Sequence, residues 1–187
     1  MNHMWKSLEA EEGVGFLLVD ARNAFNEMNR EHMLWVIRHE WPQGARFAFN
    51  CHRFWATLLV RGKNGQGTTL LSKEGVTQGD PLAMIVCGVG LLPLIRHQKQ
   101  FVLTLHQSWC ADDASAAGEL ELIRDHFREL ERIGPSVGHF PEPSKSVLIV
   151  RSDAIKHAQS FLQTEGLSFK LKTGDRCLGG FVGDTST

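Results

Sequence analysis

The run PLAMIVCGVGLLPLI at residues 81–95 constrains the fold of this chain more than any other stretch. It is apolar on nearly every side, so a helix built from it has no wet face and belongs at the centre of a core. It is also shorter than the roughly 18 to 20 apolar residues that a membrane span needs, and Pro93 interrupts it. Asp80 stands where an N-cap would and Pro81 where a first helical residue would, so the sequence predicts a helix from there to about Arg96. Everything else must be arranged around it.

Hydrophobic residues make up 42% of the 187-residue chain and charged residues 22%. That suits one domain with a sizeable core and rules out a disordered chain. The formal charge of -1 gives no field for polyanions over the whole chain, so a nucleic-acid partner has to be met by a local basic surface. Cys51, Cys87, Cys110 and Cys177 lie far apart with no CxxC or CxxH spacing, which argues for reduced thiols rather than a zinc site or disulfide scaffold. The opening MNHMWKSLEAEEG has early acids and no apolar centre, so it reads as neither a signal nor a transit peptide. The expectation is an intracellular protein, of cytoplasm or nucleus, with no membrane partner. The chain contains no tyrosine.

Along the chain, GVGFLLVD reads as a buried strand delivering Asp20 at its C-terminal end. NREHMLWVIRHEW predicts a helix with Met33, Leu34, Val36 and Ile37 on its buried face, and residues 43–55 predict a second. ATLLVRG and GTTLLSKEG are two strands joined by the turn-rich GKNGQG. VLTLHQSWCADDASAA predicts a hairpin with Asp112 and Asp113 at its bend. Leu120, Ile123, Phe127 and Leu130 recur at helical spacing up to Gly134 and Pro135. KSVLIV predicts a strand, DAIKHAQSFLQTEG a helix, and LSFKLKTGDRCLGGFVGD short strands. The mixture is best fitted by a sheet with helices on one face.

The adjacent acids Asp112 and Asp113 stand in an otherwise small and apolar setting, where two ionised carboxylates repel unless a cation, hydrogen bonds or open water relieves them. A solvent-exposed turn is the plain reading. A strand pairing that brings Asp20 beside them would instead group hard oxygen ligands suited to Mg²⁺ or Mn²⁺. Two such ions about 4 Å apart serve phosphoryl transfer.

Four segments in order, VDARNAFN, EGVTQGDPL, WCADDASAAG and GHFPEPSKS, with CLGGFVG as a weaker fifth, resemble the reverse transcriptase family. The likeness is nearest to the LINE-like, non-LTR retrotransposon type and runs from about residue 14 to 183. It implies an α+β polymerase palm: a ferredoxin-like antiparallel sheet backed by helices, spanning residues 1–187, with fingers largely missing and no thumb. It implies RNA-directed DNA polymerase chemistry, two Mg²⁺ (or Mn²⁺) ions, deoxynucleoside triphosphates, and an RNA or DNA template with primer as partners. Carried over by residue, Asp20 and Asp112 are implied as metal ligands, with Asp113 supporting them. Phe25 falls at the sugar gate, and the backbone of Ala21 and Arg22 lies near the triphosphate. Gln78 and Gly79 pack beside the incoming nucleotide and its template base. Lys145 is implied as proton donor to pyrophosphate, and Leu178, Gly179 and Gly180 as the turn under the primer end.

Each residue alone has a plainer role, as cap, turn, surface charge or core filler, and it is their joint order that favours the site. One departure is Cys110, which stands where the family has an aromatic ring two positions before the first acid of the pair. The other histidines, such as His52, His97 and His139, and the five tryptophans read as packing or surface residues. The rival reading of the whole chain is a non-catalytic palm-fold remnant, kept as a structural or interaction module.

Overall fold

The computed structural model describes residues 13–77, 79–177 and 180–183. Strand β1 (Val14–Val19) lies in the middle of a five-stranded sheet. β4 (His106–Cys110) and β5 (Asp113–Glu119) lie to one side, and β6 (Val147–Ile149) and β7 (Lys170–Lys172) to the other, in the order β4-β5-β1-β6-β7. Every pairing is antiparallel except that of β6 with β7. β1, β4, β5 and β6 with their crossover helices form the split βαβ arrangement of ferredoxin-like folds, so the α+β expectation holds.

Alternation along β1 explains its central place. Leu17 and Val19 face the main core, while Phe16 and Leu18 face a smaller one with Ile149 and Val182. The main core is closed by α2 (Arg30–Glu40), α4 (Ala83–Gly90), α5 (Leu92–Phe101), α6 (Leu120–Val137) and α7 (Ile155–Glu165). The expected stripe of α6 is fully buried, and Phe127 meets Phe169 edge-on with ring centroids 4.7 Å apart. Each such side chain contributes about 2 kcal/mol over leaving it in water. The smaller core on the other face is covered by the hairpin of β8 (Gly174–Cys177) and β9 (Gly180–Gly183).

Three expectations need correction. The apolar run forms two helices, α4 and α5, which meet at Leu91 because Pro93 starts a new helix rather than continuing the old one. Nor is α4 enclosed. Ala83, Val86 and Cys87 are buried, but Met84 is 53% and Ile85 47% exposed, since the helix backs the sheet with one face only. Pro135 does not stop α6, which continues to Val137 and ends at Gly138; a proline near the end of a helix disturbs only its last turn.

The second predicted helix is α3 (Pro42–His52), and β2 (Ala56–Arg61) pairs with β3 (Gly67–Ser72) as the expected hairpin, detached from the main sheet. Among the described residues no helix is long and apolar enough to cross a membrane.

Candidate active site

The β1–β5 ladder ends with Val19 opposite Ala114, so Asp20 and Asp113 are the next residues along it. β4 and β5 are joined by a two-residue turn, Ala111 and Asp112, with Cys110 opposite Asp113. Asp20, Asp113 and Lys145 line one cleft of about 230 Å³, together with Ser108, Cys110, Asp175, Arg176 and Cys177. Asp112 stands on the turn beside it. The buried Cys87 thiol of α4 is pushed up to about 12, by burial first and by the Asp112 charge second, so Asp112 is within electrostatic reach of the helical layer.

Asp112 and Asp113 both feel the charge of Asp20. Burial raises the carboxyl of Asp112 above the ordinary range, and the charge of Asp20 adds to it. Asp113 is raised by burial and then by both Asp112 and Asp20. Mutual repulsion of this kind is what a bound divalent cation relieves, and hard carboxylate oxygens are the donors Mg²⁺ prefers. Asp20, Asp112 and Asp113 are the residues that would hold the implied ions, by the oxygen chemistry of their side chains. Among the described residues, however, no three His, Cys, Asp or Glu side chains are disposed to close on one ion.

The segment after Asp20 is stitched to the loop that carries Lys145. The Asp20 amide donates to Ser146 Oγ (3.2 Å), which in turn donates to the Glu142 carbonyl (2.9 Å). The Glu142 amide donates back to the Asp20 carbonyl (2.8 Å), and the Arg22 amide to the Phe140 carbonyl (2.9 Å). Ala21 bridges to Pro141. The Arg22 amide is thus taken, and further along the amides of Asn26 and Glu27 go to the Asn23 carbonyl and that of Met28 to the Ala24 carbonyl. The Arg22 side chain grips Glu27 at 2.9 Å and lies over the Phe140 ring. The two non-glycine residues with positive φ among those described, Asn23 (43°) and Ala111 (53°), flank the acids. Such strain costs about 1–2 kcal/mol per residue and clusters at working sites.

Phe25 is not a wall of this cleft. It sits on the short helix α1 (Ala24–Glu27), and its ring packs against the main core. Its carbonyl accepts the Val76 amide at 2.7 Å, while Gly75 donates to the Met28 carbonyl at 2.8 Å. Gly75 has a φ of 65°, and a Cβ there would lie 2.2 Å from the Phe25 carbonyl, so only glycine lets the two motif segments touch. Gly79 differs. A Cβ there meets nothing within 4 Å, and it is the φ of 93° that asks for glycine, not close packing within the chain. Gln78, Leu178 and Gly179 lie outside the described residues; Gly180 opens β9.

Sequence reasoning missed Asp175 and Arg176, which reach the cleft on β8. Asp175 is tied to Lys172 at 2.7 Å. The only signal for them was proximity to CLGG. Trp109, beside the acids, packs against the core with His126 and His139 around it, their ring centroids 6.4 and 5.9 Å away. His139 is buried as expected of a packing residue. His97 is at the surface, with Nε2 2.6 Å from Glu129 Oε1.

No protein-family model matches the sequence, and a search of curated proteins finds no match. Solved structures do resemble it. Telomerase from Candida albicans, in complex with the TWJ fragment of telomeric RNA, superposes with a TM-score of 0.64 at 12% identity over 92% of this chain and 30% of that one. Apo telomerase from Candida tropicalis, truncated from its C-terminal domain, gives 0.58 at 19% identity over 79% of this chain and 32% of that one. The chain spans less than a third of the length of these neighbours. The fold of this chain is similar to that of these two telomerases over most of its length.

Proposed function

We propose that the chain is the catalytic palm of an RNA-directed DNA polymerase, of LINE-like retroelement type and part of a longer polypeptide. It would add deoxynucleotides to a primer paired with an RNA or DNA template. The observation that carries this reading is the meeting of Asp20, Asp113 and Lys145, from three separate segments, in one cleft beside Asp112. The order of the motif segments and the fold likeness support it.

Two Mg²⁺ or Mn²⁺ ions, when bound, would neutralise the triphosphate and activate the primer hydroxyl. The chain's own residues do the rest. Asp20, Asp112 and Asp113 would hold positive charge at the end of the β1–β5 ladder, and the amides of Asn23 and Ala24 donate to phosphate oxygens. Lys145 holds the proton that leaves with pyrophosphate. Gln78 and Gly79 flank the incoming nucleotide; Phe25, implied by the motif as the sugar gate, packs against the core behind the cleft and would act there only by shaping the backbone after Asp20. A second reading, a palm without catalysis, is favoured by the absence, among the described residues, of three side chains disposed to close on one ion.

Primer extension on an RNA template with Mg²⁺ or Mn²⁺, comparing the chain with its Asp112→Ala, Asp113→Ala double variant, decides between them. Extension lost in the variant supports the polymerase. Equal extension by both refutes these acids, and extension by neither favours the silent palm.

A further inference from the structure

The unit formed by α3, β2 and β3 leaves an uncovered surface that the polymerase chemistry does not use. Between Pro42 and Lys73 the chain carries five cations, Arg46, Arg53, Arg61, Lys63 and Lys73, and no aspartate or glutamate, so the rest of a chain of net charge -1 is acidic. Among the described residues none of the five is in an ion pair, whereas Arg22, Arg96, Arg128 and Lys172 elsewhere are each held by an acid. Large rings stand among these charges, with Phe54 69% and Trp55 58% exposed.

The rings and cations are interleaved. The Arg53 guanidinium lies over Phe54 at 4.5 Å and over Phe49 at 5.6 Å, and Lys73 Nζ lies 4.6 Å from the Trp55 ring. The hairpin register extends this row. Thr57 faces Leu71, Leu59 faces Thr69 and Arg61 faces Gly67, so alternation puts Trp55, Leu59, Leu71, Lys73 and Arg61 on one face. Six residues of strand make that face about 20 Å long. Its base is held firm: the buried Arg30 donates to the carbonyls of Phe54 (3.1 Å), Ser72 (3.3 Å), Glu74 (2.8 Å) and Gly75 (3.0 Å).

We propose that this face docks single-stranded nucleic acid, with bases stacked on Trp55 and Phe54 and the phosphates running along Arg53, Lys73 and Arg61. Unpaired cations beside exposed rings are the two elements such binding uses, a charged track and stacking platforms. A protein partner would meet the apolar rings but has no need of five unpaired cations. The proposal deepens the polymerase reading by naming where a strand outside the cleft is held, yet it rests on residues that the chemistry does not touch.

The test is fluorescence anisotropy of a labelled oligothymidylate or oligouridylate of about 20 nucleotides, titrated with the whole chain over a range of salt. Trp55→Ala is expected to weaken binding about tenfold, and Arg53→Gln with Lys73→Gln to lower the slope of log affinity against log salt by about 1.4. All three residues are exposed, and circular dichroism checks that each variant folds. Binding and slope unchanged in both variants would overturn the proposal. Concentration-dependent self-association abolished by Trp55→Ala would overturn it too, in favour of a second copy. If the parent binds as expected but extends no primer, the polymerase reading falls and this one stands.

Discussion

Acidification to pH 5 should weaken this fold through two buried imidazoles. His126 on α6 and His139 just beyond it are 0% and 1% exposed, and burial pushes both down from 6.5 to about 4. Each also feels its surroundings as a polar ring without support: among the described residues neither nitrogen of His126 has a hydrogen-bond partner, nor has Nε2 of His139. The unfolded chain binds protons at these rings from about pH 6.5 downward while the folded chain refuses them until about 4. Their contribution to stability is therefore complete above 6.5 and lost as the pH falls through that window. At pH 5 the unfolded rings have taken up protons over about 1.5 pH units, worth about 2 kcal/mol for each histidine. The pair together would remove about 4 kcal/mol from a total of roughly 5–15. His139 is one cause of the His126 shift, so the two losses add imperfectly. Urea unfolding at pH 7 and pH 5 measures the effect, and the control is His126→Leu with His139→Leu. Half-buried His32 and buried His52 shift the same way and stay in both chains, so the difference isolates the pair. The double variant should lose at least half of the drop. An equal drop in parent and variant would refute the assignment.

Other expectations follow from the site. Asp113→Asn should raise the melting midpoint at pH 7, because a carboxyl held above its ordinary range costs stability once ionised; the gain should vanish below about pH 3.9. Millimolar Mg²⁺ should stabilise the parent more than Asp113→Asn in the same melting assay, and equal shifts would count against a metal role for that residue. Gly75→Ala should cost about 3 kcal/mol or more in urea unfolding, since the new Cβ meets backbone 2.2 Å away at a left-handed φ; a cost under 1 would mean the segment relaxes freely. If the motif's sugar-gate role holds for Phe25 despite its packing against the core, Phe25→Ala should admit ribonucleotides in primer extension; unchanged discrimination between the two sugars would leave it a core residue only.

Much of the site was legible because its parts obey short-range rules. Asp20 ends an apolar strand, and Asp112 and Asp113 mark a tight turn between two extended runs, so alternation and turn chemistry placed them within a residue. What sequence could not reveal was set by distant packing. Nothing in PLAMIVCGVGLLPLI says that Met84 and Ile85 face outward, because a helix over a sheet needs only one dry side. Asp175 and Arg176 join the cleft through a hairpin folded over the opposite face of the sheet, a placement that no local pattern encodes. The close contact of Gly75 with Phe25 joins segments fifty residues apart, and a glycine in EGVTQGD looks like any turn residue until its neighbour is known.

The place of β1 bears on how the chain is made. β1 pairs with residues 114–119 and 147–149, which are made more than ninety positions later. At roughly 5–20 residues per second, β1 waits several seconds or longer for its neighbours, with Phe16, Leu17 and Val19 uncovered. Synthesis of this protein therefore leaves a sticky apolar ribbon in search of a partner, and attendance by a chaperone during that interval would govern yield more than the final stability does.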